Sequence, residues 1–203
     1  MSYLTLAAAV RLEDVIKGSR FIAHARPVPD VTSAERVTEE ISTTHADATH
    51  NCWAYRIGDV YRFSDDGEPG GTAGRPMLEV LTQRGLDRIV AVVTRYYGGT
   101  KLGAGGLVRA YGGTLAKALD TAIVREVKPR VALSVHVPFA HLDVVHRLVD
   151  STPELHKGSS DFDAEGMTLT LTLPAAQQDL FADALRDATR DDAKVLSAEP
   201  LPF

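Results

Sequence analysis

Strict alternation of apolar and polar positions is clearest in the second part of the chain. Met167, Leu169, Leu171 and Leu173 alternate with Thr168, Thr170 and Thr172, which predicts a strand with one buried face. Val131, Leu133, Val135 and Val137 alternate in the same way with Ala132, Ser134 and His136. Leu142, Val145, Leu148 and Val149 follow a helical period, as do Leu180, Phe181, Ala184, Leu185 and Ala188. A weaker strand near 155–162 and a short one at Val195-Leu196-Ser197 complete the order β-α-β-β-α-β. That order is the ferredoxin-like pattern.

The first part mixes the two periods. Arg20–Val28 reads as a strand that stops before Pro29. Thr32-Ser33-Ala34-Glu35 reads as a capping box opening a helix, with Ala34, Val37 and Ile41 on one face. Asn51–Ile57 and Val60–Ser64 read as a hairpin closed by Gly58-Asp59. Ile89–Thr94 is a continuous apolar run, as expected of a strand buried on both faces. Met77, Leu78 and Leu81 predict a helix after Pro76. Leu107, Tyr111, Leu115, Ala118, Leu119 and Ala122 predict a long helix over 104–125. The fold class is therefore α+β. A composition shift followed by Lys128-Pro129 divides the chain into domains 1–127 and 128–203.

Composition adds exclusions. The 203 residues are 44% hydrophobic and 24% charged, ordinary globular usage that argues against disorder or a fibrous repeat. No apolar run approaches the roughly 18–20 residues of a membrane span. The start lacks the basic region and cleavage pattern of a signal peptide, so a soluble cytoplasmic protein is expected. The single cysteine, Cys52, excludes an internal disulfide and a multi-cysteine zinc site. The net charge of −5 at first argues against nucleic acid. Residues 1–126, however, hold 15 basic and 15 acidic residues, while 127–203 hold 7 and 12, so the second domain carries the whole excess. Residues 75–117 contain Arg75, Arg84, Arg88, Arg95, Lys101, Arg109 and Lys117 against only Glu79 and Asp87, a local +5.

Twelve of the 16 glycines lie between Gly67 and Gly113, nine of them in two loops. The first is Ser64-Asp65-Asp66-Gly67-Glu68-Pro69-Gly70-Gly71-Thr72-Ala73-Gly74-Arg75-Pro76. Its three carboxylates suit a Mg²⁺ ion, or equally a turn in which aspartates bond nearby backbone N–H groups. The second loop, Thr94–Tyr111, leaves the buried strand and enters the long helix. Its glycines offer backbone N–H groups to an anion, or else a tight strand–helix connection. It is neither a Walker A loop nor a Gly-x-Gly-x-x-Gly fingerprint. The local charge, and tyrosines interleaved with basic residues, favour a binding surface. The expected nucleic-acid or anion-binding set is Arg75, Arg95, Lys101 and Arg109 for phosphates, with Tyr96, Tyr97 and Tyr111 for stacking. Gly103, Gly105 and Gly106 would supply backbone N–H groups. An alternative active-site cluster is His50, Asp65, Asp66 and Glu68. The His45–Trp53 segment does not have the spacing of a metal site, and Cys52 reads as a buried strand residue.

Gly18-Ser19-Arg20-Phe21-Ile22-Ala23, His50-Asn51-Cys52-Trp53-Ala54-Tyr55, Phe63–Pro69, Gly71–Pro76 and Thr94–Tyr111 together resemble the YigZ/IMPACT family. Tyr97 stands where many members have Phe, and Gly70 where Ser is common. The resemblance implies an N-terminal α/β domain of the ribosomal-protein second-domain type and a ferredoxin-like C-terminal domain. It implies a regulator of translation, since eukaryotic relatives regulate translation under amino-acid starvation. Those relatives bring an extra partner-binding domain, so that partner does not carry over. The resulting expectation is a non-enzymatic regulator of translation without a cofactor, binding RNA or the ribosome through domain 1–127. The acidic second domain is a candidate surface for a protein partner. The alternative is a Mg²⁺-dependent enzyme acting on a small phosphorylated or nucleotide ligand.

Overall fold

A strand that is apolar on both faces belongs in the middle of a sheet with layers on either side, and β6 (Ile89–Tyr96) occupies that place. The computed structural model describes residues 2–201. They divide into two units, Tyr3–Val127 and residues 128–201 with Ser2, of mixed α/β character.

In the first unit a five-stranded sheet runs β2 (Val10–Ile16), β3 (Ser19–Pro27), β6, β4 (His50–Ile57), β5 (Val60–Ser64), each neighbour antiparallel. α1 (Val31–Thr44) covers one face, with Ala34, Val37 and Ile41 packed on Tyr55, Val90 and Val92. α2 (Gly74–Gln83) and α3 (Ala104–Asp120) cover the other, where Met77, Leu81, Leu107, Tyr111 and Leu115 meet Phe21, Ala23, Cys52, Ala54, Ala91 and Val93. Each fully buried Leu, Met or Phe in these layers contributes about 1.5–3 kcal/mol. β1 (Tyr3–Leu6) pairs with β7 (Val124–Val127) in a separate two-stranded ribbon.

β1, β2 and β7 stand where no strand is expected, the last strand spans Lys194–Pro200 rather than Val195–Ser197, and two helix boundaries shift. α1 is capped by Asp30, whose carboxylate accepts from the Ser33 N–H at 2.7 Å, so the helix starts before the Thr32–Glu35 segment. α3 ends at Asp120 rather than near 125, because the chain turns there to pair as β7 with β1.

The second unit contains β8 (Arg130–Pro138), α4 (Leu142–Ser151), β9 (His156–Phe162), β10 (Gly166–Pro174), α5 (Gln178–Thr189) and β11 (Lys194–Pro200). Its antiparallel sheet has the order β11-β8-β10-β9. Both helices pack on the face carrying Val131, Leu133, Val135, Val137 and Met167–Leu173 at alternate positions. No helix among the described residues is long and apolar enough to cross a membrane.

His24 on β3 puts a titratable ring between the sheet and the end of α1, 5.7 Å from the His45 ring, with Nε2 buried and unpartnered. Burial, then the neighbouring His45, lowers its pKa from 6.5 to about 4. The unfolded chain takes this proton near pH 6.5 and the folded one only near pH 4. Stability should therefore fall as pH drops through that window and level off below it. Discounted for partial exposure, the loss is about 1–2 kcal/mol. Urea midpoints between pH 7 and pH 4 should show it, and His24→Gln should flatten that stretch of the curve.

Candidate functional site

The two glycine-rich loops meet at their bases on one buried carboxylate. Glu68 lies in the first loop with its side chain 4% exposed. Its Oε1 accepts from Arg95 Nη1 at 2.6 Å and from the Tyr111 hydroxyl at 2.7 Å. Arg95 is near the end of β6, just before the second loop, and Tyr111 lies on α3, just after it. A buried charge needs a charged partner with good hydrogen bonds, and Glu68 and Arg95 supply this to each other. Arg95 Nη2 reaches Ser19 Oγ at 3.5 Å, and its guanidinium stands over the rings of Phe21 and Tyr97.

His50 borders the same cluster. Its Nδ1 is 2.7 Å from the Asp66 carbonyl, which can only accept, so Nδ1 carries a proton. Nε2 then faces Glu68 Oε2 at 3.9 Å. Cys52 Sγ donates to the Asp65 carbonyl. Burial pushes its thiol up to about 12, which rules out a ready thiolate nucleophile. Burial also raises the Tyr111 hydroxyl far above its ordinary value, so it stays a donor to Glu68.

The other two carboxylates of the first loop hold the backbone. Asp65 accepts from the N–H groups of Gly71, Ala73 and Gly74 at 2.7–2.9 Å and so anchors the start of α2. Asp66 accepts from the Asn51 N–H at 2.6 Å. The turn reading therefore displaces the Mg²⁺ reading for both. No group of three or more His, Cys, Asp or Glu is placed to hold a metal ion among the described residues.

The second loop is held by a close backbone approach. A Cβ on Gly98 would lie 1.9 Å from the Gly18 carbonyl oxygen, so only glycine fits. The Gly98 N–H donates to Ser19 Oγ at 3.1 Å. Gly103, at φ 70°, then starts α3 without a side-chain cap. Gly105 lies in the exposed first turn and Gly106 is half-buried.

The expected binding set therefore splits. Lys101 and Arg109 are exposed and make no ion pair among the described residues. Tyr97 is 47% exposed. Arg75 is exposed and pairs with Glu79 at 3.2 Å. Tyr96 is half-buried, its hydroxyl between His45 Nδ1 and Asp47 Oδ1 at 3.0 Å each, with Arg20 over its ring. Arg95 and Tyr111 are corrections: both are buried on Glu68 and unavailable for phosphate contact or stacking. The local +5 also shrinks, because Asp14 pairs with Lys117, Glu68 with Arg95 and Asp120 with Arg84 from outside the counted segment. Sequence reasoning gave no role to Ser19, Asn51 or Thr94, which fix the cluster's frame. Thr94 Oγ1 donates to Asn51 Oδ1 at 2.7 Å. Ser19 and Asn51 stand in the quoted motifs, which is the signal that could have found them.

A family model described as the Impact N-terminal domain matches residues 17–119, which hold this whole cluster. The chain is 37% identical over 203 residues to the IMPACT family member YigZ of Escherichia coli (strain K12), covering 98% of each. It is 35% identical over 91 residues to Protein IMPACT of Rattus norvegicus, 42% of this chain and 29% of that protein. A crystal structure described as that of a hypothetical protein superposes with a TM-score of 0.69 at 37% identity, covering 97% of both chains.

Proposed function

The chain belongs to the IMPACT family, and from that premise we propose that it is a regulator of translation that contacts RNA or the ribosome through Tyr3–Val127. The observation that carries this reading is the run of exposed residues Tyr97, Lys101, Gly103, Gly105 and Arg109 through the second loop and the start of α3, joined to the buried Glu68–Arg95 pair where Arg95 stands over the Tyr97 ring. Lys101 and Arg109, without an ion pair among the described residues, stand beside a helix start that has no side-chain cap, an arrangement that favours phosphate oxygens. The resemblance to eukaryotic IMPACT proteins, which implies regulation of translation, supports the same direction. We read Tyr3–Val127 as the ribosomal-protein second-domain type. We read the second unit as ferredoxin-like, supported by its β-α-β-β-α-β order. Its acidic excess suits a basic protein partner.

Lys101→Ala with Arg109→Ala should weaken binding to ribosomes or to single-stranded RNA and lower the salt slope by roughly 1.4, the value for two lost phosphate contacts. Both side chains are exposed, so the melting temperature should stay unchanged. Pelleting with ribosomes and fluorescence anisotropy with labelled RNA, each over a salt series, measure this. An unchanged affinity and slope would remove the reading. Asp65 and Asp66 accept from backbone N–H groups, which weighs against the Mg²⁺-dependent alternative.

A further inference from the structure

β5 is the outer strand of its sheet and, among the described residues, pairs with β4 alone. Its register sets Phe63 opposite Ala54 and Tyr61 opposite Arg56. Ala54 belongs to the core beneath α2 and α3, so Phe63 and Tyr61 stand on that same face. They lie past the rim of the core, with Tyr61 64% and Phe63 41% exposed. Together with α2 they border a groove of about 860 Å³, walled also by Leu78 and by two cations and two carboxylates, Arg56, Arg75, Asp59 and Glu79.

We propose that this groove takes unpaired bases of single-stranded RNA, an inference that rests on the RNA-binding reading above. Two rings on one face, about 6.6–6.8 Å apart along the strand, offer stacking surfaces to successive bases. Arg56 makes no ion pair among the described residues, and it stands beside Tyr61 as a ready phosphate or guanine partner. Arg75 and Glu79 pair with each other at 3.2 Å on an exposed turn. That pair is weak enough to be exchanged for base contacts, the carboxylate accepting from an amino group. The groove's volume falls within the roughly 300–1,000 Å³ range of small-ligand sites and accommodates a base with its sugar. A protein strand added to β5 is the competing occupant. Against it, the strand is only five residues long and carries Arg62 at its centre, tied to Glu35 at 3.6 Å. A short edge with a central charge disfavours strand pairing.

The test uses the full chain, a fluorescent single-stranded RNA of about 12 nucleotides and the matching duplex. Tyr61→Ala with Phe63→Ala should weaken single-strand binding about 30-fold, leave the salt slope unchanged and leave duplex binding unaffected. Tyr61→Phe should retain affinity, and circular dichroism should show both variants folded. If the wild type binds RNA and the double alanine variant binds within twofold of it, the groove proposal fails while the RNA reading stands. If the wild type binds no RNA at any salt, both fall. If the double variant instead turns a dimer into a monomer in sedimentation, the groove is a protein interface and the proposal is overturned.

Discussion

Arg95→Ala should lower the stability of Tyr3–Val127 by about 3–5 kcal/mol, the cost of breaking a buried ion pair. The substitution leaves the Glu68 carboxylate buried with only the Tyr111 hydroxyl on Oε1. An uncompensated buried carboxylate either stays charged at high cost or takes up a proton. The guanidinium also fills space between Phe21 and Tyr97, so packing is lost with the charge. Urea unfolding followed by Trp53 fluorescence reads this unit, since Trp53 is the sole tryptophan and lies on β4. Adding Glu68→Ala should recover part of the loss, because the second change removes the stranded charge. The interaction energy of the cycle then measures the pair. A single-variant loss below about 1 kcal/mol would mean that the pair is solvated and holds nothing together. Arg95→Ala is for the same reason a poor probe of RNA binding.

Gly98→Ala comes second. Its Cβ would sit 1.9 Å from the oxygen and 2.0 Å from the carbon of Gly18, and 2.5 Å from the Ser19 nitrogen. All three atoms are backbone, so no side chain can rotate away. Either β3 or the second loop must move, and each is fixed by the pairing of Arg20 with Tyr96. A loss above about 4 kcal/mol, or failure to fold, is expected. Gly99→Ala is the control. A Cβ there meets nothing within 4 Å, and only its φ of 87° resists, for a cost of about 1 kcal/mol. Equal melting temperatures for the two variants would show that the approach is not close in solution.

Part of the fold can be read from the chain because β8 and β10 bury alternate positions and the β6 run buries both faces. β1 and β7 could not be read so. Each is four residues long, and each finds its partner more than a hundred positions away. The site was legible as a pair of loops, but its inside and outside were not. Arg95 follows Ile89, Ala91 and Val93 on the core face of β6, so strand period places it inward, whereas its neighbours Tyr96 and Tyr97 suggested a surface. Tyr111 stood both on the apolar face of α3 and among the stacking residues, and those two positions exclude each other. The charge count of 75–117 failed for a different reason. A window sees only its own carboxylates, while Asp14, Glu68 and Asp120 reach their cations across the fold.

Cys52 gives the unit a built-in reporter. It is the chain's single thiol, fully buried beneath Glu68's loop and held protonated. A thiol reagent added to the native protein must therefore wait for Tyr3–Val127 to open. The labelling rate then counts openings of that half alone, blind to residues 128–201, which contain no sulfhydryl. The Arg95 and Gly98 variants can be ranked by that clock without denaturant, and a bound RNA that braces the two loops would slow it.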